Sequence, residues 1–152
     1  MKVVIQRVKR ASLFIEDEHR GDIGKGLVIL VGIGKKDTQD EIEYMGSKIL
    51  SLRIFGDERD RMNYSVKDID GELMIVPQFT LYGDCSRGNR PDFTQAAHPS
   101  VAKGLYEDFV KFFGGQLKKV VSGKFGSKMI VEIHNDGPVT IIMKSKNEDK
   151  GE

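Results

Sequence analysis

Two short segments of the chain combine residue types that are unusual for the structure expected around them. The first is 77–81, Pro-Gln-Phe-Thr-Leu, where a proline and an amide interrupt an otherwise apolar strand pattern. Because proline has no N–H to donate to a sheet ladder, the strand must bend, bulge or lie at an edge at this point. We therefore expect the residues just after Pro77 to present backbone N–H groups to a ligand instead of to a neighbouring strand.

The second segment is 135–140, Asn-Asp-Gly-Pro-Val-Thr. Its first three residues are typical of a β-hairpin turn, which would join strands at 128–134 and 139–143. The proline directly after the turn glycine is harder to explain, because it removes a donor from the start of the next strand. Only about 5–6% of X–Pro bonds in folded proteins are cis. The residues alone make both segments unusual without indicating a function.

Motifs for the common catalytic and cofactor sites are absent from the sequence. The glycines at 32–34 match neither the dinucleotide fingerprint nor the P-loop, and a strand end explains them better. The three histidines lie in separate segments without metal-ligand spacing; they are His19, His98 and His134. The paired carboxylates Asp57 and Asp60 are better explained as part of a solvated turn than as catalytic acids. A catalytic pair with the Cys85 thiol as nucleophile and His98 as its base is one remaining possibility for chemistry, although a lone cysteine in a polar loop more often has no catalytic role.

Length, composition and charge limit the function further. The chain has 152 residues, 39% of them apolar and 31% charged, as expected for one domain with its own core. A single cysteine argues against disulfide scaffolds and zinc fingers and favours a reducing, cytoplasmic setting. The longest apolar run, 27–31, is too short to cross a bilayer, so we expect no membrane partner.

The formal net charge of +1 confines any nucleic-acid binding to local patches of basic residues. The candidates, which are equally well explained as ordinary solvated charges, are Lys2, Arg7, Lys9, Arg10, Arg87, Arg90, Lys118, Lys119 and Lys124.

Periodicity and capping signals predict the elements that must position these residues. Thr38 and Glu41 form a capping-box pattern before apolar residues spaced three and four apart, which predicts an amphipathic helix over 39–51. A second amphipathic helix, capped by Ser100, is expected to end at 114–115. Strands are predicted at 2–8, 12–15, 26–31, 73–81, 117–121, 128–134 and 139–143. We expect a single layered α/β domain over 1–144, with mixed, mostly antiparallel pairing, and a disordered charged tail over 145–152.

Taken together, the two unusual segments resemble the paired signatures of the D-aminoacyl-tRNA deacylases, a Ser-Gln-Phe-Thr-Leu strand and an Asn-x-Gly-Pro-Val-Thr turn. The similarity covers about residues 1–144. It includes further matches in the same order and at similar spacing, namely Ile5–Val8, Ala11–Ser12, Arg53–Phe55, Met62–Asn63, Arg87–Gly88, Arg90–Pro91 and Leu105–Tyr106.

The resemblance implies a cytoplasmic homodimer that hydrolyses the ester between a D-amino acid, or glycine mischarged on alanine tRNA, and the terminal adenosine of tRNA. It implies neither a metal nor an organic cofactor. The active sites are expected at the dimer interface, where a cis Gly137–Pro138 dipeptide of one subunit enters the pocket of the other. Its backbone carbonyls would hold the α-ammonium group and leave no room for an L-configured side chain.

The resemblance also assigns roles to individual residues. Gln78, Phe79 and Thr80 would form the catalytic wall of the pocket and supply backbone donors. Arg7 would brace the Gly-Pro dipeptide, and Met129 falls in the region associated with the terminal adenosine, although a buried strand methionine is the default interpretation.

Two features leave the interpretation open. Pro77 stands where the family pattern has Ser, which puts any role of that hydroxyl in doubt. Thr80 is the obvious side-chain nucleophile, but no histidine, lysine or carboxylate near it in the motif could act as its base, so the 2′-hydroxyl of the substrate's ribose is the alternative. The competing function is a non-catalytic dimeric module that binds RNA or nucleotides.

Overall fold

One long central strand organises the sheet. A computed structural model of the chain describes residues 1–148, and its strands are β1 Lys2–Ile15, β2 Glu18–Ile23, β3 Gly26–Gly32, β4 Phe55–Gly56, β5 Met62–Tyr64, β6 Glu72–Pro77, β7 Val120–Ser122 and β8 Met129–Lys144. Strand β1 pairs antiparallel with β8 along one side, and with β3 and then β2 along the other. Strands β6 and β7 extend the sheet in parallel beyond β3, while β4 and β5 form a separate hairpin.

Two amphipathic helices cover one face of this sheet, α1 Gln39–Ser51 and α2 Pro99–Phe112. The Thr38 hydroxyl accepts from the Asp40 N–H and the Glu41 carboxylate accepts from the Thr38 N–H, so the predicted capping box is confirmed. The apolar face of α1 buries Ile42, Met45 and Ile49 in a core shared with α2 and the sheet. Each such side chain contributes about 1.5–3 kcal/mol when fully buried. The predicted mixed α/β class with two helices and mostly antiparallel pairing is confirmed.

The opposite face of the sheet encloses a second, smaller core. The sheet curls until β2 approaches β7, so closely that a Cβ on Gly21 would lie 3.1 Å from Cγ1 of Val121. The residues buried inside this curl are Val8, Ala11, Leu13, Ile23, Val28, Met74 and Val76. Neither helix in the described part of the chain is long and apolar enough to cross a membrane.

The predicted hairpin at 135–137 is wrong, because β8 runs straight through this segment. Asn135 pairs with Val8 and Thr140 pairs with Gln6, so both flanks lie along the same strand, β1. The residues between these pairs, 136–139, face only one residue of β1 and form a bulge, within which the Gly137–Pro138 peptide is cis. Turn residues fix a local bend, but the shared partner strand decides that the chain continues in one direction.

Other elements also differ from the predictions. The strands expected at 2–8 and 12–15 are one strand, β1, and the polar strand β2 was not predicted. The strand expected over 73–81 ends at Pro77, followed by a turn of 3₁₀ helix at Phe79–Tyr82. The helix expected to be capped by Ser100 begins at Pro99 and is capped by His98, whose side chain accepts from the Ser100 N–H. The strand expected at 117–121 is shorter and later, at Val120–Ser122.

The predicted disorder from residue 145 is wrong for the first four residues of that tail. Ser145 is fully buried, and its Oγ accepts from the Met1 ammonium at 2.8 Å. The same ammonium lies 2.6 Å from a carboxylate oxygen of Asp37 and 2.9 Å from one of Glu148. These contacts anchor 145–148 against the start of β1, whereas residues 149–152 lie outside the described residues.

Candidate active site

The chain leaves the sheet at Pro77 in a way that frees backbone donors. The Gln78 N–H still donates to the Val31 carbonyl at 2.7 Å, which continues the ladder with β3. The 3₁₀ turn Phe79–Tyr82 begins immediately afterwards, and the first N–H groups of any helical turn have no acceptor within it. No acceptor for the Phe79 or Thr80 N–H occurs within residues 1–148. These two donors are therefore available to a bound molecule.

Side chains of the same turn are held by short-range contacts. The Gln78 amide donates to the Thr80 hydroxyl, and no other side-chain partner of Thr80 occurs among the described residues. Phe79 is 55% exposed, and its ring meets that of Phe93 edge to face with centroids 5.1 Å apart. The turn therefore presents an aromatic ring and a hydroxyl at the surface, while its backbone is fixed by β6.

A pocket of about 720 Å³ opens beside this turn, between the end of the sheet and the start of α2. Its volume lies within the range usual for small-molecule sites. The lining is mainly apolar and comprises Val31, Ile33, Val76, Pro77, Gln78, Phe79, Phe93, Ala96, Ala97, His98, Pro99, Ala102, Tyr106, Phe125, Gly126, Ser127, Met129 and Val131. Three predicted site residues, Gln78, Phe79 and Met129, therefore line one cavity.

The other predicted residues form a second cluster on the bulge of β8. Arg7 donates from Nη1 to the Ile54 carbonyl at 2.7 Å and from Nε to the Asp136 carbonyl at 3.1 Å. The Asn135 side chain accepts from the Val139 N–H at 2.7 Å and donates back to the Val139 carbonyl at 3.3 Å, so it closes the bulge from inside. Gly137 and Pro138 remain exposed at its tip.

Only glycine fits at position 137 of this bulge. The φ of Gly137 is +127°, and a Cβ there would lie 2.8 Å from Cγ2 of Val139 and 3.0 Å from Nη2 of Arg7. Contacts this short force either the bulge or its arginine to move. Arg7, whose side chain is 16% exposed, therefore packs against Gly137 and holds the backbone from which Gly137 and Pro138 project.

Within a single chain the structure does not bring the two clusters together. Arg7, Gly137 and Pro138 are not among the residues that line the pocket, and neither is Thr80. The alternative nucleophile pair is not formed either: Cys85 is exposed in the loop after the turn, whereas Nδ1 of His98 contacts the Ser100 hydroxyl at 2.8 Å. No group of three or more His, Cys, Asp or Glu side chains in residues 1–148 is arranged to hold a metal ion.

Sequence reasoning missed several residues that complete the pocket. Phe93 and Phe125 come from loops, where a single aromatic residue among polar ones is the only sequence signal. Tyr106 lies at the inner end, and its hydroxyl contacts the Gly123 carbonyl at 2.7 Å. Burial raises the pKa of Tyr106 above its ordinary range, so this phenol is a neutral donor.

Comparisons with known proteins show which family the chain resembles. The family model described as D-Tyr-tRNA(Tyr) deacylase matches residues 4–144. Curated relatives named D-aminoacyl-tRNA deacylase, from Clostridium perfringens (strain SM101 / Type A) and Thermosipho africanus (strain TCF52B), are each 50% identical over 146 residues. In both cases the match covers 96% of this chain and 98% of the relative.

Two solved structures share the fold. One, named c-Myc DNA Unwinding Element Binding Protein, has a TM-score of 0.90 at 43% identity and covers 95% of this chain and 99% of its own. The other, described as a probable eukaryotic D-amino acid tRNA deacylase, has a TM-score of 0.79 at 20% identity and covers 93% and 97%. At that identity the second structure shows the fold alone. The family match over nearly the whole chain confirms what the two sequence signatures predict: this chain belongs to the D-Tyr-tRNA(Tyr) deacylase family.

Proposed function

We propose that the chain is a hydrolase that cleaves the ester between a D-amino acid and the terminal adenosine of tRNA. The observation that carries this proposal is the apolar pocket beside the 3₁₀ turn at Phe79–Tyr82, in a chain that belongs to a deacylase family. Such a pocket suits an adenosine and an amino-acid side chain. Adjacent N–H groups without an acceptor suit the carbonyl oxygen of an ester, which becomes an oxyanion when water attacks.

Within this site, the wall and the donors have separate roles. Phe79 and Met129 bind the adenosine end by apolar contact, because both line the pocket and neither carries a charge. The N–H groups of Phe79 and Thr80 bind the ester oxygen. The Gln78 amide, which donates to the Thr80 hydroxyl, holds the turn in the conformation that aims these donors.

A second copy of this chain supplies the missing part of the site. The bulge is absent from its own chain's pocket, and its tip is exposed. The same strand carries two exposed isoleucines, Ile130 at 56% and Ile142 at 71%, on either side of the bulge. Isologous pairing of two such faces buries these side chains and carries each bulge to the partner's pocket, which gives two equivalent sites.

In this arrangement the backbone of Gly137 and Pro138 selects the chirality of the substrate. Arg7 and Asn135 fix the bulge from both sides, so it cannot yield to a badly fitting ligand. A rigid wall close to the α-carbon admits the hydrogen of a D-amino acid or of glycine, but it excludes an L-configured side chain. Because no side chain of the enzyme reads the amino acid, the site accepts many D-amino acids and also glycine mischarged on alanine tRNA.

Catalysis then combines positioning with the chemistry of the substrate. A threonine hydroxyl needs a base to act as a nucleophile, and the described partner of Thr80 is an amide. The substrate carries a 2′-hydroxyl beside the ester, which can assist the attack of water once the backbone donors stabilise the oxyanion. We place this reaction in the cytoplasm, where aminoacyl-tRNA is used.

One observation favours a second function. The solved relative at 43% identity carries a name that describes binding to DNA, which fits the non-catalytic nucleic-acid-binding alternative. The two functions differ in a direct assay, in which the chain is incubated with tRNA charged with D-tyrosine, L-tyrosine or glycine. The proposal predicts release of D-tyrosine and glycine with L-tyrosyl-tRNA left intact. Binding of all three tRNAs without release of any amino acid would instead identify a binding module.

A further inference from the structure

The parallel ladder between β6 and β7 loses one hydrogen bond at the wall of the pocket. The Gly123 N–H donates to the Ile75 carbonyl at 2.8 Å, as the register of Ile75 with Ser122 requires. In a parallel ladder the next bond runs from the N–H of the residue two positions after Ile75 to the Gly123 carbonyl. That residue is Pro77, which has no N–H to donate.

A side chain occupies the place of the missing donor. The Tyr106 hydroxyl lies 2.7 Å from the Gly123 carbonyl and 3.1 Å from the Ile75 carbonyl. Tyr106 is 3% exposed and comes from α2, so helix packing delivers this hydroxyl to the end of the ladder. A buried carbonyl without a donor is costly, and the phenol removes that cost.

The bond matters because Gly123 begins the segment that forms one wall of the pocket. A Cβ on Gly123 would lie 2.7 Å from Sδ of Met129 and 3.1 Å from Cδ of Pro77, so these three residues are in close contact. The Tyr106 ring also meets that of Phe125, with centroids 6.2 Å apart. A shift of Gly123 would therefore move the side chains that line the pocket.

We propose that Tyr106 is a positioning residue, whose hydroxyl replaces the ladder donor absent at Pro77 and thereby holds the wall formed by 123–129. This role rests on the proposed function, since the wall contacts the adenosine end of the substrate. The hydroxyl touches no reacting atom. Its loss should weaken substrate binding and leave the chemical step largely unchanged.

The test combines removal of the hydroxyl with restoration of the main-chain donor. We expect Tyr106→Phe to raise KM for D-tyrosyl-tRNA about fivefold to tenfold, with kcat changed by less than about twofold. Pro77→Ala supplies an N–H for the Gly123 carbonyl, so the double variant should return to within about twofold of Pro77→Ala alone. Tyr82→Phe is the matched control, because it also removes a buried phenol, one that donates to Glu148 and not to the Gly123 carbonyl. Any change in KM or stability caused by Tyr82→Phe should therefore persist when Pro77→Ala is added.

Amide hydrogen exchange provides a readout that does not depend on activity. Exchange of the Gly123 N–H should quicken about tenfold in Tyr106→Phe and recover in the double variant. If D-tyrosyl-tRNA stays intact with the unmodified chain while this exchange pattern appears, the proposed function fails and the role of Tyr106 in the wall stands. A Tyr106→Phe chain with unchanged KM and unchanged Gly123 exchange, or a double variant that Pro77→Ala does not rescue, would overturn the inference.

Discussion

Replacement of Arg7 by methionine tests whether the bulge must be held rigidly. Methionine keeps much of the apolar stem of the side chain but removes the donors to the carbonyls of Ile54 and Asp136. A hydrogen bond from a charged group contributes about 1.5–3 kcal/mol, and two such bonds give about 3–6 kcal/mol as an upper limit. Water can reach the exposed bulge and replace part of this, so we expect a net loss of about 2 kcal/mol.

This loss should appear mainly as reduced activity, because Arg7 connects the bulge and the residue before β4 to β1, and neither bond belongs to the backbone ladder of the main sheet. A loss of about 2 kcal/mol in transition-state stabilisation lowers kcat/KM for D-tyrosyl-tRNA about thirtyfold. Discrimination against L-tyrosyl-tRNA should also weaken as the bulge becomes able to yield. Single-turnover deacylation with both substrates measures the two effects, and urea denaturation measures the accompanying change in stability.

Arg10→Met provides the matched control on the same strand. Arg10 is exposed, and no hydrogen bond or ion pair of its side chain occurs within residues 1–148. Its replacement should change stability by less than about 0.5 kcal/mol. Any contact of Arg10 with tRNA phosphates would affect both substrates alike, so the ratio of kcat/KM for D-tyrosyl-tRNA to that for L-tyrosyl-tRNA should stay within about twofold of the unmodified value. An Arg7→Met chain as active and as selective as Arg10→Met would refute the view that a clamped bulge sets the site.

Three further predictions follow from other contacts. Gly137→Ala should cost about 1–3 kcal/mol of stability because of its positive φ and its short contacts, whereas Gly104→Ala, with open space around its Cβ in α2, should be neutral or stabilise by up to about 1 kcal/mol in urea denaturation. Thr80→Ala should retain much of its activity while tRNA ending in 2′-deoxyadenosine is hydrolysed very poorly; a loss on the order of 10⁴-fold for Thr80→Ala would make its hydroxyl the nucleophile. Burial opposes ionisation of Glu148, but the hydrogen bond from Tyr82 and the Met1 ammonium outweigh it and hold its pKa below the ordinary value. The stability that Glu148 contributes is therefore present above its pKa in the unfolded chain and is lost as pH falls through its pKa in the folded chain. Glu148→Gln should make the free energy of unfolding fall less steeply at acid pH. An unchanged acid dependence of the free energy of unfolding would contradict this.

Local patterns were sufficient to predict the elements whose structure depends on near neighbours. The helix at Gln39–Ser51 was predicted with its observed ends, because Thr38 and Glu41 fix its start through bonds between near neighbours and the spacing of its apolar residues indicates how far it extends. The prediction of a hairpin at 135–137 was wrong, since the same turn residues are also compatible with a bulge. Only the pairing of both flanking segments with β1 distinguishes a bulge from a hairpin. Strand β2 gave no signal, because its exposed residues lack apolar alternation.

The candidate site was likewise predictable only where its residues are close together in the sequence. Residues within the two motifs could be singled out from the sequence, because each motif is contiguous. The pocket could not be derived in this way, since Phe93, Tyr106 and Phe125 reach it from three separate segments. The packing of 145–148 was missed for a similar reason: the charged composition of this tail predicts disorder, whereas its partners Met1 and Asp37 lie more than a hundred residues away.

The central claim is that each active site combines the pocket of one subunit with the bulge of the other, and mixing two inactive variants tests it most directly. Gly137→Ala distorts the bulge at a cost of about 1–3 kcal/mol, and Phe79→Asp places a charge in the pocket wall at an exposed position, so each variant alone should fold but be inactive. Random exchange of subunits in an equal mixture makes about half of the dimers mixed, and each mixed dimer has one site with both parts intact. Deacylation of D-tyrosyl-tRNA should therefore recover to about a quarter of the unmodified level. A mixture in which mixed dimers are present but activity stays at the level of the separate variants would contradict the shared site.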